Sequence, residues 1–436
     1  MGFVLTLVYV TVLYLTPAAI VPDLAPYRIQ LWIGILALIF SIPGLLKSTN
    51  WRLPQLRLFA GLLICIPLSH ILGPSHWMGG AVNALMDFLP NGIVLLLVVA
   101  HCRSIRKLKI LLGIMLSIAA YYVLRGAQAY YGGILDSPFI ITQHPDTNPS
   151  QLLLRIRALG VLNDPNDFAQ LIISLIPFIW LRWRPGNRVS SLFLCGIPTL
   201  FFLWGTFLTH SRGSMVAMAV LLLLLFRRKL GPIPAMVVTG AALAGFLAIN
   251  FAGGRSVSFE SGADRLSLWG TGLALFKSSP LFGIGYNQFD VGGQTAHNSV
   301  VLCLTELGLI GYFFWIGIIV FTFVHLNGVM RAEKAEETDS IEDAEGHPSR
   351  QEELQRFASL ARLSLTAFLA AAWFLSRAYV ATLWLVLGIG IAVVQIARAD
   401  DKFVEIAVPR RILGWSAATV FASVAFVYLI LRSRWL

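Results

Sequence analysis

A histidine and two arginines stand beside the starts of apolar segments, in positions where their side chains can meet a solute. His297 directly precedes an apolar run that opens at Ser299, and histidine is the side chain best suited to proton transfer near neutral pH. Arg212 and Arg265 lie beside the starts of two predicted helices, and guanidinium groups hold carboxylates or phosphates through paired hydrogen bonds. The two arginines favour a site that binds an anion, and His297 is a candidate for moving a proton there. A lone histidine at a membrane interface is more often structural, so the residues alone favour a structural role for His297.

Arg265 is predicted to lie in the first turn of a helix that runs to about Lys277, with Ser261 or Asp264 as its N-cap. A cation in the first turn opposes the helix dipole, which favours anions at that end. Arg265 therefore does not stabilise its own helix, and an external anion beside it would remove the conflict. The structural alternative pairs Arg265 with Asp264, Glu260 or a lipid phosphate.

Arg212 lies in the segment SRGS, between two apolar runs. Ser211, Arg212 and Gly213 are predicted to begin the following helix, so that its free amides and the guanidinium face one anion together. The structural alternative is an arginine whose apolar stem lies in the membrane while its charge reaches the interface. The adjacent His210 is predicted to be structural.

Glu306 stands inside the apolar run 299–325, where a carboxylate costs at least ~2.5 kcal/mol in hydrocarbon. On one continuous helix, Glu306 and His297 would face opposite sides and lie roughly 13 Å apart along the axis. No direct dyad is therefore expected. Glu306 is predicted to be a buried anchor or the partner of a hydrogen-bond donor within the membrane, while Asn298 shares a helix face with Thr305.

Two aspartates, Asp164 and Asp167, stand at the opening of an apolar helix in the segment NDPNDF. This arrangement is typical of a turn followed by an N-cap, and a spacing of three residues is weak evidence for a metal site. Capping is therefore predicted, and no metal or other cofactor is expected. The glycine-rich segment FGIGYNQF follows no predicted strand, which excludes a dinucleotide-binding motif.

The composition shows what must position these residues. The 436 residues are 57% hydrophobic and 13% charged, with a mean hydropathy of +0.75, whereas a water-soluble protein carries about a quarter charged residues. The sequence therefore predicts an all-α polytopic membrane protein. Its net charge of +11 lies mostly in basic clusters that alternate with the apolar runs, which is the positive-inside pattern and not evidence for nucleic-acid binding.

The apolar runs predict about 12 or 13 transmembrane helices in a single transmembrane domain, residues 1–436, with the N-terminus inside. The runs lie near 3–21, 29–46, 58–73, 81–100, 110–124, 168–183, 189–208, 213–226, 233–251, 299–325, 358–376, 379–397 and 412–431. A thirteenth crossing would place Arg432 and Arg434 outside, against the charge rule. Two long loops, 125–167 and 252–298, are predicted to be external, and the polar loop 326–357 is predicted to be cytoplasmic.

Several motifs in the second external loop and beyond resemble the O-antigen ligase superfamily. The segment DRLSLWGTGLALFKSSPLFGIGYNQF and the following AHNSVVLCLTELGLIGY carry its pattern of Arg-x-x-x-Trp, a Pro-Leu-x-Gly-x-Gly turn, His-Asn and Glu-x-Gly-x-x-Gly. The segment SRGS is a further match. The resemblance covers roughly residues 205–320. The superfamily includes lipopolysaccharide O-antigen ligases, related polysaccharide polymerases and protein O-oligosaccharyltransferases.

The resemblance implies an inverting, metal-independent glycosyltransferase of the integral-membrane C type. It implies a donor glycan on undecaprenyl pyrophosphate, an acceptor hydroxyl on lipid A-core or another molecule, and an active site facing the periplasm from the bacterial inner membrane. Residue by residue, it implies His297 as the catalytic base and Arg212 and Arg265 as ligands of the pyrophosphate. Supporting roles fall to Ser211, Trp269, Asn298 and Glu306.

The acceptor separates three related activities, and O-antigen ligase is ranked first, ahead of a polymerase or a protein O-oligosaccharyltransferase. The competing class is a polysaccharide transporter or flippase, which would place polar residues near the midplane of several spans. Glu306 is the main acidic residue of that kind, with Asp87 and Arg377 as lesser cases. Because the polar residues concentrate at the outer edge instead, the sequence favours an enzyme.

Overall fold

The computed structural model describes residues 1–46, 53–144, 150, 152–183, 186–253, 259–332, 349–399 and 409–433. Helices dominate these residues, because a backbone in hydrocarbon must satisfy its polar groups within the segment. The helices of 14 or more residues are α1 Gly2–Leu15, α2 Ile29–Leu45, α3 Pro54–Ile71, α4 Met78–His101, α5 Ile105–Gly132, α6 Pro165–Ile179, α7 Arg188–Leu208, α8 Arg212–Leu230, α9 Pro232–Ala248, α10 Phe259–Ser278, α11 Ser299–Arg331, α12 Arg350–Ala372, α13 Ala381–Arg398 and α14 Pro409–Arg432.

Each apolar run predicted from the sequence coincides with one of these helices, and α10 is the helix predicted within the second external loop. Nine helical segments of the described chain are long and apolar enough to cross a membrane. The helices α6 and α9 are shorter, with 15 and 17 residues, and α12 carries charges in its first turns. The prediction of an all-α polytopic membrane protein is confirmed.

The helices alternate in direction, so the bundle has two ends. At one end, which we call the basic face, Lys109 of α5 forms an ion pair with Glu353 of α12, and Arg356 donates to the carbonyl of Trp183 after α6 (2.6 Å). At the other end, which we call the site face, Thr16 after α1 contacts Gly160 before α6. The segment that leads into α11 lies on this face.

The last helix, α14, packs against α11 and ends near α10 and α12. The Tyr312 and Ser423 hydroxyls are 2.8 Å apart, which joins α11 to α14. Near the end of α14, Phe426 packs against Trp373 at the site-face end of α12, and Arg432 lines a cleft with Lys277 of α10. The helix α14 therefore ends on the site face, and Arg432 lies there despite its charge.

Three loop boundaries differ from their sequence-based expectations. The helix α5 continues to Gly132, into the predicted loop 125–167, and the described part of the remainder includes an antiparallel pair of β1 (Ile140–Gln143) and β2 (Leu153–Ile156). The predicted polar loop 326–357 is shortened from both sides by α11 and α12, and its residues 333–348 lie outside the described chain. Arg434 also lies outside the described residues.

Arg155 joins this small sheet to the helical bundle. Its side chain is fully buried and donates to the Thr209 carbonyl at the end of α7 (2.8 Å), to Gln143 Oε1 (3.1 Å) and to Asn166 Oδ1 (3.1 Å). A buried guanidinium is stable only when its donors are satisfied in this way. The first loop is therefore fixed against the starts of the helices that carry the site.

The helix α11 is not continuous. Gly308 has φ 63° and ψ −170°, a conformation that breaks the helical ladder. The turn at 280–285 replaces the lost hydrogen bonds: amides of Ile284 and Gly285 donate to the carbonyls of residues 305 and 306 (3.0 and 3.1 Å), while amides of residues 309 and 310 donate to Pro280 and Leu281 (2.8 and 3.2 Å). The turn motif and the Glu-x-Gly-x-x-Gly motif thus form one structural unit.

Two glycines make this contact possible. A Cβ atom on Gly283 would stand 2.3 Å from the backbone of Glu306, and one on Gly308 would stand 2.4 Å from the backbone of Leu281. Both residues also have positive φ angles. Only glycine allows the two backbones to meet at this distance.

Candidate active site

His297 lies in the last residues before α11, on the site face. Its backbone is left-handed (φ 49°), its side chain is half-buried, and its amide donates to Ser376 Oγ (2.9 Å). Within the described part of the chain, neither ring nitrogen has a hydrogen-bond partner. His297 precedes α11, which begins at Ser299 and carries Glu306.

The residues on both sides of His297 are fixed. Trp269 of α10 is buried, and its Nε1 donates to the carbonyl of Ala296 (3.0 Å). Asn298 is the N-cap of α11, and its Oδ1 accepts from the amides of Val300 (2.8 Å) and Val301 (3.0 Å). The imidazole is therefore presented from a backbone that is held before and after it.

Arg212 and Arg265 come from different helices, and the charge of Arg212 acts on Arg265. Arg212 is the first residue of α8, and Ser211 caps that helix through its Oγ, which accepts from the Ser214 amide (3.4 Å). Arg265 lies in the second turn of α10, not the first as the sequence suggested, because the helix begins at Phe259. The side chains of 259–264, including those of Glu260, Ser261 and Asp264, lie outside what the structure describes.

Electrostatics link the two arginines and the histidine. Burial lowers the pKa of the Arg265 guanidinium, and the charge of Arg212 lowers it further. Burial also lowers the pKa of His297, and the charges of Arg265, Arg377 and Arg212 act in the same direction, while Asp164 opposes them. At neutral pH the imidazole of His297 is therefore uncharged and able to accept a proton.

Arg377 belongs to this site, although the sequence predicted it as an intramembrane polar residue. It lies in the connection between α12 and α13, on the site face. Its guanidinium forms ion pairs with Asp164 (3.2 Å) and with Asp167. One signal could have placed it: Ser376-Arg377 separates two apolar runs, as Ser211-Arg212 does.

Asp164 caps α6, as the sequence predicted. Its Oδ1 accepts from the amide of Asn166 (2.7 Å) and from that residue's side chain (2.8 Å), while its Oδ2 faces Arg377. Among the described residues, no group of three His, Cys, Asp or Glu side chains is arranged to hold a metal ion. Asp164 thus joins a capping role to an ion pair at the site.

Glu306 supports the segment that returns from the glycine turn to His297. It is buried, and its Oε1 accepts from the amide of Phe289 (3.1 Å). The same segment is held at Tyr286, whose amide donates to Ser69 Oγ (3.0 Å) and whose carbonyl contacts His70 Nε2 (2.9 Å). Glu306 therefore contacts the return segment, and no hydrogen bond joins it to His297 in the described chain.

His210 occupies a structural position next to Ser211. It is buried, its Nδ1 contacts the Phe251 carbonyl (3.0 Å), and its Nε2 lies 3.5 Å from the Tyr130 hydroxyl. These contacts join the turn between α7 and α8 to α5 and to the end of α9. The histidine at 210 thus differs from His297, whose ring is left open toward the site.

Residues 197–316 match the O-antigen ligase family. No curated protein matches the sequence. The matched segment contains Arg212, Arg265, Trp269, His297 and Glu306, whereas Asp164 and Arg377 lie outside it. The chain is therefore a polytopic membrane protein that carries an O-antigen ligase family domain, the domain of enzymes for glycan transfer of the ligase or polymerase type.

Proposed function

We propose that this protein is an O-antigen ligase, which transfers a glycan from undecaprenyl pyrophosphate to a hydroxyl of lipid A-core. In this proposal Arg212 and Arg265 bind the pyrophosphate and His297 is the catalytic base. The site face is the periplasmic face of a bacterial inner membrane. Ser211, Trp269, Asn298 and Glu306 hold these groups in place through the contacts described above.

One observation supports the proposal: the charges of Arg212 and Arg265 both act on the half-buried imidazole of His297. Burial lowers the pKa of Arg265 and the charge of Arg212 lowers it further, so the two cations repel each other. A pyrophosphate diester with its negative charges would relieve this repulsion and accept paired hydrogen bonds from each guanidinium group. An anion-binding site next to a neutral base suits a reaction in which a phosphate leaves and a hydroxyl attacks.

The reaction follows from this arrangement. The acceptor oxygen attacks the anomeric carbon from the side opposite the pyrophosphate, a new C–O bond forms, and the bond to the pyrophosphate oxygen breaks. The acceptor proton passes to His297, and the electron pair of the broken bond leaves with undecaprenyl pyrophosphate, so the configuration inverts. Base catalysis contributes about 10²–10⁴ in rate, and the two arginines stabilise the charge that develops on the leaving group.

The distribution of charge supports the orientation. Basic clusters such as those at 103–109 and at 350 and 356 lie toward the basic face, and positive clusters favour the cytoplasmic side. The site face would then be external, where lipid-linked glycans and lipid A-core meet. The energy for transfer is stored in the pyrophosphate linkage, so no nucleotide site is required.

The test is a pair of variants, His297→Ala and Arg265→Ala, compared with His76→Ala and Arg28→Ala as controls. His76 and Arg28 are exposed residues of loops that begin or end on the site face. We expect both site variants to insert normally and to lose long-chain glycan on lipid A-core while polymer remains on the lipid carrier. The control variants should keep it.

The glycan banding also separates the alternatives. A surface product limited to single repeats would indicate a polymerase, and loss of glycan from a protein would indicate a protein O-oligosaccharyltransferase. Loss of carrier-linked glycan from the outer leaflet in the His297→Ala variant would favour a transporter. Full ligation by His297→Ala would refute the role of His297 as the base.

A further inference from the structure

The connection between α12 and α13 is joined to the start of α11 by three hydrogen bonds. The amide of His297 donates to Ser376 Oγ (2.9 Å), Ser299 Oγ donates to the Leu375 carbonyl (2.6 Å), and the Arg377 amide donates to Ser299 Oγ (2.8 Å). These contacts fix the backbone of His297 against residues that follow it by about 80 positions. Any movement of this connection therefore moves the imidazole.

The side chain of Arg377 fixes the connection in turn. Its Nε donates to Asp167, its Nη2 to Asp164 Oδ2 (3.2 Å), and its Nη1 to the Ser376 carbonyl (3.2 Å). The guanidinium is 21% exposed and the Asp167 carboxylate 15%, so water screens this pair only in part. Asp164 is also held as the cap of α6, and α6 packs against α12.

The charges around Arg377 indicate whether it binds a phosphate or holds the protein in place. One guanidinium faces two carboxylates, and all three of its nitrogens already have acceptors. The two carboxylates beside Arg377 repel a phosphate, which makes Arg377 a poor third ligand for one. A guanidinium occupied by Asp164 and Asp167 acts on the geometry of the protein instead.

We infer that Arg377 is a positioning residue for His297, and that Asp164 and Asp167 are its anchor. The inference rests on the proposed role of His297 and extends the site beyond residues 197–316, to the start of α6 and to the connection that follows α12. The path of contacts runs from the carboxylates at the start of α6 to the guanidinium of Arg377, then to the carbonyl of Ser376, and from the hydroxyl of Ser376 to the backbone amide of His297.

The inference predicts a specific kinetic result for Arg377→Gln. Without the guanidinium the connection loosens, and a misplaced base lowers kcat by about 10- to 100-fold. The donor KM should change less than about threefold, because Arg212 and Arg265 remain. Arg377→Lys keeps the positive charge and loses the paired donors of the guanidinium, so it should recover part of kcat.

The pH profile supplies a second measurement. The charged groups that act on His297 are Arg265 on α10, Arg212 on α8, Arg377 itself and Asp164 at the start of α6. Arg377→Gln removes a cation and leaves both carboxylates, so the pKa of His297 rises. The acidic limb of kcat/KM should therefore move to higher pH, whereas Ser376→Ala, which removes one hydrogen bond and no charge, should leave the limb in place.

The experiment uses the full-length enzyme in detergent, with undecaprenyl-pyrophosphate-linked glycan as donor and lipid A-core as acceptor. If Arg377→Gln does not accumulate because two carboxylates are left unpaired, Arg377→Gln combined with Asp167→Asn removes both the cation and one anion. This double variant should accumulate and retain the fall in kcat. In the single variant, a low kcat together with an acidic limb of kcat/KM at higher pH supports the inference. In the double variant, a low kcat supports it.

Other outcomes overturn it. A raised donor KM with unchanged kcat in Arg377→Gln would make Arg377 a pyrophosphate ligand, and wild-type kinetics in either variant would remove its positioning role. The His297→Ala variant keeps the two hypotheses apart. Full activity in His297→Ala refutes the base, whereas an inactive His297→Ala with a fully active Arg377→Gln refutes only the positioning.

Discussion

Replacing Gly308 by alanine tests whether the glycine turn and the broken helix form one unit. The residue has φ 63° and ψ −170°, a region used almost only by glycine, and forcing alanine into it costs about 1–3 kcal/mol. The new Cβ would also stand 2.4 Å from the backbone of Leu281. Moving the turn away breaks hydrogen bonds worth about 1 kcal/mol each.

The expected loss of stability is therefore about 3–5 kcal/mol, since two or more of the four hydrogen bonds at the break would be lost. The matched control is Gly270→Ala in α10, where a Cβ meets nothing within 4 Å. That change replaces glycine by the best helix former and should stabilise the helix by about 1 kcal/mol or less.

The protein contains its own probe for the measurement. Cys65, Cys102, Cys195 and Cys303 are all free and buried, so a thiol-reactive fluorogenic dye reports unfolding as the temperature rises. Gly308→Ala should melt several degrees below wild type, and Gly270→Ala should melt at or above it. Equal melting temperatures for the two variants would refute the paired-glycine contact as a source of stability.

Three further predictions concern the residues around His297. The kcat/KM for transfer should fall toward acidic pH with an apparent pKa below 6.5, because burial and Arg265 disfavour the imidazolium of His297. Arg265→Ala removes that repulsion, so the acidic limb of the pH profile should move to higher pH. An acidic limb that stays in place contradicts the assignment of that limb to His297. Trp269→Phe deletes the hydrogen bond to Ala296 and should lower kcat by about fivefold, for about 1 kcal/mol, with little change in melting temperature. Asn298→Ala removes the cap of α11 and should lower stability by about 0.5–2 kcal/mol in the thiol assay, whereas Asn298→Asp should keep most of it.

The sequence predicted the helices well because length and hydrophobicity decide whether a segment crosses a membrane. Each apolar run became one helix, and even the last run, which the charge rule left uncertain, is α14. The break at Gly308 could not be predicted in this way. A glycine inside an apolar helix is common, and the partner that stabilises the break comes from residues 280–285, outside the reach of periodicity.

The candidate site could likewise be predicted from the sequence only in part. Arg212, Arg265 and His297 were found because each is a charged or titratable residue at the edge of an apolar run. Arg377 was grouped with the intramembrane polar residues although it stands between the apolar runs 358–376 and 379–397. The connection between α12 and α13 places it on the site face. Its partners, Asp164 and Asp167, were recognised as a cap, since an ion pair over more than 200 residues leaves no local pattern.

The distance along the chain between the parts of the site has a consequence for biosynthesis. Residues 164–167, 212, 265–298 and 377 leave the ribosome in that order, so the two arginines and the histidine are inserted before the segment that fixes the histidine. A chain whose translation has passed α11 and not α13 therefore lacks the contacts that hold the backbone of His297. The proposed site is completed only after the reversal between α12 and α13 has been made and has folded back onto α6 and α11.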